Sequence, residues 1–429
     1  MTENDLNELV KDAVYKIRLI CVSADANNNK YWFADVLNTG ELICRYARVG
    51  VVMKTPWRKM CGSVAAAQKL ADSKADKKRN YHGDKEPYTD IALSENDTVT
   101  IAAGGSLESI AREQIANGDS QLGDLVAFFA KANIHQITSK TTITYSAGQL
   151  RTALGVVTPD TIQRARSELD NIATSVATGH NTNNNWRFKK QVEAFLRLIP
   201  ERVTGRVNPE ELFRTNDDVQ ARTDLLDAME SVIDIAQSDV KQERVFDMTL
   251  ERVTDRKIIE RIAGKFKSTA NRHHHRDVAY MKLKNVWAVD ISADEFNDIG
   301  NTHEFWHGTK ASNILAIFKS GLRIIKSGPH TTGKMFGDGV YFAPASTKAL
   351  NYAKTFWGGK DEGRYFMFLA DVSMGTAHTP RTSKHSGWTP PRGNDSTWAK
   401  ANVSGVANDE CIIYSESQAK IRYLCEFVD

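Results

Sequence analysis

Residues able to do chemistry concentrate in two stretches of this 429-residue chain. The first, Phe305–Tyr352, contains FWHGTKASNILAIFKSGLRI and then IKSGPHTTGKMFGDGVYFAPASTKALNY. The second, Asp409–Tyr414, reads DECIIY. A carboxylate such as Glu410 offers charge and acceptor lone pairs together, which suits it to polarising a hydroxyl. Taken singly the residues are bland: His307 reads as a surface or core histidine, and Glu410 beside Asp409 as a loop acid at a strand start. Gly333, Gly337 and Gly339 read as hairpin turns. No GxGxxG follows a strand and opens a helix, so a Rossmann dinucleotide fold is excluded. The run His273-His274-His275 invites a metal, but adjacent histidines point different ways and no Cys or acid joins them. It reads as a solvated loop.

The elements that must position these residues fall into three textures. Residues 13–60 alternate like strands: Tyr15, Ile17, Leu19 and Cys21 share a face, and Tyr31, Phe33 and Asp35 repeat the period of two. The turn-rich stretch Ala24–Asn29 separates the two runs. A strand Glu41–Val49 follows the turn Asn38-Thr39-Gly40. Ser63 then N-caps a helix to about Asp76, with Val64, Ala67 and Leu70 on its apolar side. Residues 92–119, rich in Gly, Ser and Asn, read as a linker.

From Leu122 to about Ala236 the helical period dominates. Leu122, Leu125 and Phe128 recur at threes, and Thr158-Pro159 opens a helix carrying Ile162, Ala165, Leu169 and Ile172. Trp186–Ile199 and Val219–Ile233 give two more helices. After about Phe246, short strand-like runs (Ala279–Leu283, Trp287–Ile291, Tyr365–Val372, Cys411–Tyr414) alternate with loops, an α+β texture. The expected chain is therefore multidomain α+β: a tail (1–12), a small antiparallel-sheet domain (13–91), a linker (92–119), an all-α bundle (120–238) and an α+β domain on antiparallel sheets (239–429).

Charge is uneven. Between Arg45 and Lys85 eleven basic residues face three acids, a surplus of eight, while the whole chain carries only +3. A polyanion is the first expectation for that module, against the commoner alternative of a solvated charged face. Five scattered cysteines without a CxxC pair fit reduced thiols. The polar, acidic N-terminus and the lack of a membrane-length apolar run lead to an expectation of an intracellular protein, away from membranes.

The stretch Phe305–Tyr352 resembles the donor-site half of the poly(ADP-ribose) polymerase catalytic domain, through HGT-x3-N, GLRI, MFGxGxYFA and NY. DECIIY resembles the strand carrying that family's catalytic glutamate. Upstream, FLRLIP (195–200) and VQARTDLLDAMESVIDIA (219–236) are similar to the helical regulatory domain of DNA-dependent members. RYARVG (45–50) and the basic helix ending near Asn80-Tyr81 resemble a WGR domain.

The resemblance implies an ADP-ribosyltransferase whose substrate is NAD⁺, without a metal. Glu410 would bond the nicotinamide-ribose 2′-OH and stabilise an oxocarbenium-like transition state, with His307 and Tyr341 completing the catalytic set. Gly308 would pair the nicotinamide amide through its backbone, while Tyr352 and Tyr341 wall the ring. His307 and Thr309 would bond the adenine-side ribose, with Arg323 and Asn313 near the adenosine. Gly333, Phe342, Ala343 and Lys348 complete the expected NAD-binding set. DNA contacts are expected from Tyr46, Arg48, Lys54, Trp57, Arg58, Lys77, Lys78 and Arg79. The implied partners are DNA strand breaks and an acceptor protein, the chain itself included. The implied state is a monomer, located in the nucleus of a eukaryote, or in the cytoplasm or nucleoid of a bacterial or viral system.

Four departures qualify the resemblance. Ala349 stands where the family usually has a serine on the nicotinamide amide, a loss of about 1 kcal/mol. Lys334 replaces a frequent aromatic, and Tyr46-Ala47-Arg48 replaces Trp-Gly-Arg. The segment between Tyr352 and Glu410 is also shorter than in many members. Two alternatives to a DNA-activated transferase follow: a constitutive mono-ADP-ribosyltransferase using the basic domain as a substrate clamp, and a silent NAD⁺- or nucleic-acid-binding scaffold.

Overall fold

A computed structural model describes residues 8–25, 28–49, 51, 55–81, 86–90, 106–146, 149–152, 155–203, 207–237, 244–271, 278–324, 335–353, 363–382 and 388–429. It is mixed α+β with predominantly antiparallel sheets. The chain groups into two compact units, residues 1–99 with 137–219 and residues 100–136 with 220–429.

In the first unit, β1 (Tyr15–Ser23), β2 (Asn28–Val36), β3 (Glu41–Arg48), β4 (Trp57–Met60) and β5 (Thr89–Asp90) form one sheet in the order β4-β3-β2-β1-β5. The alternation in β1 places Ile17, Leu19 and Cys21 on the face that joins Trp32, Ala34 and Val36 of β2 in a core. Helix α1 (Val64–Arg79) covers that face with Ala67, Ala71 and Ala75, all fully buried, and Ser63 Oγ caps it by accepting from Ala66 N at 3.2 Å. On the other face of β2 the Asp35 carboxylate is wholly buried and neutralised by Arg18 at 2.5 Å and Arg45 at 3.0 Å. Two half-buried cations on one carboxylate satisfy a group that burial alone would destabilise.

Part of the expected linker is structured. Helix α2 (Leu107–Ala111) continues into a π-helical turn, Arg112–Ala116, and Leu107, Ile110, Ala111, Ile115 and Ala116 are buried. The apolar spacing 107, 110, 111 is a helical face that the polar composition of the stretch obscures. Helix α3 (Ser120–Lys140) follows, then the small sheet of β6 (Thr144–Ser146), β7 (Gln149–Thr152) and β8 (Gly155–Val156). Next come α4 (Pro159–Ala177), α5 (Trp186–Leu198), α6 (Pro209–Leu212) and α7 (Asn216–Gln237). Thr158 caps α4 as expected, and Ile162, Ala165, Leu169 and Ile172 are its buried stripe.

The expected 120–238 bundle is shared between the two units. In the first, α5 is held to the end of β1: the buried Glu193 carboxylate accepts from Ala24 N at 2.9 Å. In the second, Phe129 of α3 packs edge-on against Phe366 and Phe318, at 4.9 and 6.1 Å between ring centroids. Aromatic partners distant in sequence thus decide which unit each helix joins.

The remainder of the second unit begins with β9 (Met248–Arg252), α8 (Arg256–Ser268), β10 (Lys282–Ile291), β11 (Thr302–Gly308), α9 (Ile314–Ser320), β12 (Val340–Phe342) and α10 (Ser346–Ala353). It ends with β13 (Arg364–Ser373), β14 (Ala377–His378), β15 (Ser396–Ala399), β16 (Glu410–Ile413) and β17 (Ala419–Val428). A five-stranded antiparallel sheet runs β11-β13-β17-β10-β9, and a four-stranded sheet runs β12-β16-β15-β14, with β14 parallel to β15. Two expected strands, Ala279–Leu283 and Trp287–Ile291, are instead one: β10 starts at Lys282, and a register shift between Leu283 and Asn285 absorbs the irregularity against β17. Among the described residues no helix is long and apolar enough to cross a membrane.

Candidate active site

The two sheets of the second unit meet where β11 and β12 touch. Trp306 N donates to Ala343 O at 3.1 Å, and Ala343 N donates to Trp306 O at 2.9 Å, a single antiparallel bridge between the sheets. The bridge sets His307 beside β12, and its Nδ1 lies 3.0 Å from Tyr341 O. A carbonyl only accepts, so Nδ1 carries the proton and the neutral ring keeps its Nε2 lone pair. Desolvation holds the imidazole below its usual pKa, only partly opposed by the bond to Tyr341.

β12 pairs with β16 at Tyr341↔Ile412 and Phe342↔Cys411, leaving Glu410 one residue beyond the last pair. There Glu410 meets Lys348 of α10: the Nζ donates to Oε1 in a largely buried ion pair. Burial pulls the Lys348 ammonium below the usual lysine range, and the charge of Glu410 opposes that shift. His307, Tyr341, Lys348 and Glu410 thus come from β11, β12, α10 and β16, joined by these bonds.

The glycine loop is held by phenols. Tyr341 Oη donates to Gly337 O and accepts from Phe336 N, both at 2.9 Å, and burial raises its pKa. Tyr414 Oη donates to Phe336 O at 2.8 Å, its pKa pushed up to about 12 by burial. Gly337 has φ +79°, and a Cβ there would sit 2.0 Å from Trp388 O. Gly308 is equally obligatory, because a Cβ would lie 1.6 Å from Ala349 O. The end of β11 and the backbone of α10 are therefore in direct contact.

Residues 257–428 match the family model for the poly(ADP-ribose) polymerase catalytic domain. This stretch of the chain resembles a poly(ADP-ribose) polymerase catalytic domain. It is 31% identical over 182 residues to the protein mono-ADP-ribosyltransferase PARP3 of Mus musculus, covering 34% of this chain and 33% of the mouse protein. It is 23% identical over 473 residues to poly [ADP-ribose] polymerase 2 of Homo sapiens, covering 96% of this chain and 79% of the human one. It is 27% identical over 198 residues to poly [ADP-ribose] polymerase 1 of Arabidopsis thaliana, covering 38% of this chain and 20% of that protein. The match to the mouse mono-ADP-ribosyltransferase thus spans only a third of its length.

The remaining residues expected to serve the family's donor site lie as follows. The Phe342 ring is buried and T-shaped to His307 at 5.7 Å, and Ala343 is buried, its N–H and C=O both bonded to Trp306. Thr309 is buried, whereas Tyr352 on α10 is 61% exposed. Asn313, at the start of α9, accepts from Ser312 Oγ at 3.3 Å. Arg323 donates to Glu416 Oε2 at 2.7 Å, which ties it to the start of the turn before β17. Gly333, Lys334 and His273–His275 lie outside the described residues.

In the N-terminal sheet the expected DNA-contacting residues divide in two. Tyr46 and Trp57 are 58% and 37% exposed, Arg48 and Lys77 are exposed, and Lys74 stands 4.1 Å over the Trp57 ring. Arg58 is paired with Glu41 at 2.8 Å and Arg79 with Asp90 at 2.6 Å. The Lys78 ammonium is ringed by Trp32, Tyr81 and Tyr88 at 5.4, 5.6 and 5.0 Å. These last three cations are engaged within the fold. Lys54 lies outside the described residues.

Two functional-site neighbours had no sequence signal. Lys310 of the HGTK stretch pairs with Asp224 of α7. Asn271, just past α8, bonds to residues near both Lys348 and Glu410. A lone Asp in a helix and a lone Asn in a loop are indistinguishable from surface residues until the fold brings their partners close.

Proposed function

We propose that this chain is an NAD⁺-consuming ADP-ribosyltransferase that breaks the nicotinamide–ribose bond and transfers ADP-ribose to protein. The observation that carries this reading is the Lys348–Glu410 pair set beside His307 and Tyr341. The match of residues 257–428 to the poly(ADP-ribose) polymerase catalytic domain supports it.

Cleavage leaves nicotinamide with the bonding electron pair and positive charge spread over ribose C1′ and its ring oxygen. Glu410 Oε1 accepts from Lys348, so Oε2 is available to accept from the 2′-hydroxyl and hold negative charge near the developing cation. Lys348, nearly out of water, holds that carboxylate in place through its ion pair. The neutral His307 offers Nε2 to a ribose hydroxyl of the adenine side, while its Nδ1–H stays on Tyr341 O. Tyr341 cannot swing freely, because its hydroxyl is bonded to the glycine loop, and it forms a fixed wall for the leaving ring. The acceptor nucleophile then bonds C1′ from the opposite face and gives up its proton, for which Glu410 is the nearest base.

We further infer activation by DNA strand breaks. The exposed Tyr46, Trp57 and Arg48 on a WGR-like sheet, with Lys77 on the helix that covers it, suit a nucleic-acid backbone and end. Within the second unit, Asp224 holds Lys310, and Asn133 Nδ2 donates to Ser312 O at 2.8 Å, so α3 and α7 grip the stretch following His307. In this reading, release of that grip accompanies DNA binding and opens the donor site.

The test is nicotinamide release from labelled NAD⁺ by wild type and Glu410→Gln, with and without a nicked duplex, together with product size. DNA-stimulated release that Glu410→Gln loses supports the whole reading. Release indifferent to DNA favours a constitutive transferase with the basic sheet as a substrate clamp. Single ADP-ribose units would make it a mono-transferase. No release under any condition would overturn the enzyme reading in favour of a binding scaffold.

A further inference from the structure

We propose that Asn271 is a positioning residue that locks the turn leading into Glu410 to the helix carrying Lys348, so that carboxylate and ammonium meet. Asn271 N donates to Thr347 Oγ1 at 3.0 Å, and Thr347 Oγ1 donates back to Asn271 O at 3.3 Å. Its side-chain Nδ2 donates to Asn408 Oδ1 at 2.7 Å. Thr347 directly precedes Lys348, and Asn408 stands two residues before Glu410. Both partners are buried, at 0% and 6% exposure, so the bonds do not compete with bulk water.

The bland alternative is that Asn271 merely finishes α8. The bonds argue otherwise. The C-terminal carbonyl of that helix is already served by Thr269, whose N and Oγ1 both donate to Lys265 O, at 3.0 and 2.8 Å. Asn271 instead bonds to elements 76 and 137 positions away. Thr269 adds to the same clamp, accepting from Trp306 Nε1 at 3.2 Å and from Ser346 N at 3.2 Å. The segment after α8 therefore touches the neighbours of His307, Lys348 and Glu410. Among its described residues, Asn271 bridges the neighbours of the two that form the ion pair. A shift of about 1 Å between those two groups suffices for a large loss of rate.

The kinetic part of this proposal rests on the transferase reading, so the test includes a measurement that does not. The full chain is compared with Asn271→Ala, Asn408→Ala, their double variant and Asn271→Asp. Nicotinamide-release kinetics, the Lys348 titration by NMR of ¹³C-labelled lysine, and thermal unfolding are read for each. Facing Lys348 are Glu410, Asp409 and the Cys411 thiol. Asn271→Ala is expected to lower kcat about tenfold, with the KM for NAD⁺ little changed. It is also expected to lower the Lys348 pKa, because Glu410 no longer offsets burial. The double variant should lose no more than either single one, since both cut the same bond. Asn271→Asp should restore most of the rate, because the Asn408 amide can turn to donate to the new carboxylate. If Asn271→Ala does not fold, Asn408→Ala carries the same readings. A Lys348 titration unmoved in both single variants, or kcat losses that multiply in the double variant, would overturn the proposal. Absent nicotinamide release in wild type would sink the transferase reading alone, and the titration would still decide the positioning role.

Discussion

Lys348 and Glu410 form an ion pair whose side chains are only 10% and 13% exposed, on a helix and a strand 62 residues apart in the chain. Burial alone would disfavour both charges, so the pair persists because each partner supplies the other's missing hydration. That mutual dependence makes the centre sensitive to pH from the lysine side.

Lys348 loses its proton as pH rises through a value below the usual lysine range, because burial lowers it. Activity that needs the ammonium is therefore present at lower pH and falls through that depressed value. Lys348→Arg keeps the charge to far higher pH. The alkaline limb of kcat should appear in wild type below the usual lysine range and move upward in the variant. An unmoved limb would remove Lys348 from the origin of the profile.

Gly308→Ala places a Cβ 1.6 Å from Ala349 O, a backbone atom with no flexible end to yield. Either β11 or α10 must move. The variant should lose about 1–3 kcal/mol of stability in denaturant unfolding, and the KM for NAD⁺ should rise. Stability and KM both equal to wild type would contradict the close contact.

Asp224→Ala frees Lys310 from α7. If the helices restrain the stretch after His307, nicotinamide release without DNA should rise about fivefold or more, while the DNA-stimulated rate changes little. A fall in both rates would show the pair to be supportive of the site and not restraining.

The exposed and enclosed residues of the N-terminal sheet should behave differently. Trp57→Ala and Tyr46→Ala should weaken binding of a nicked duplex by about 1–3 kcal/mol, measured by fluorescence anisotropy at fixed salt, with the fold intact. Lys78→Met should instead lower the unfolding midpoint, since its ammonium sits among Trp32, Tyr81 and Tyr88. Equal affinity losses for all three variants would contradict this division.

What the sequence by itself determined is local or linear. The order His307, Tyr341, Glu410 and the words around them identified the family, and periodicity located the helices opened by Ser63 and Thr158, whose caps depend on residues three apart. The alternation of β1 likewise chose the face that became core. Composition misled at residues 106–116, where a short apolar face hides among polar residues and helix forms because Leu107, Ile110 and Ala111 find a core to enter.

Only the tertiary structure decided which distant groups meet. Lys348 was legible as a donor-site residue but not as the partner of Glu410, and Asn271 and Asp224 carried no signal at all. Likewise, nothing local separates Lys77, on the surface, from Lys78, enclosed by three aromatic rings. The reason is physical. Helix and strand periods arise from neighbours along the chain, whereas an ion pair or a clamp depends on sheet register and on burial, which the whole fold sets at once.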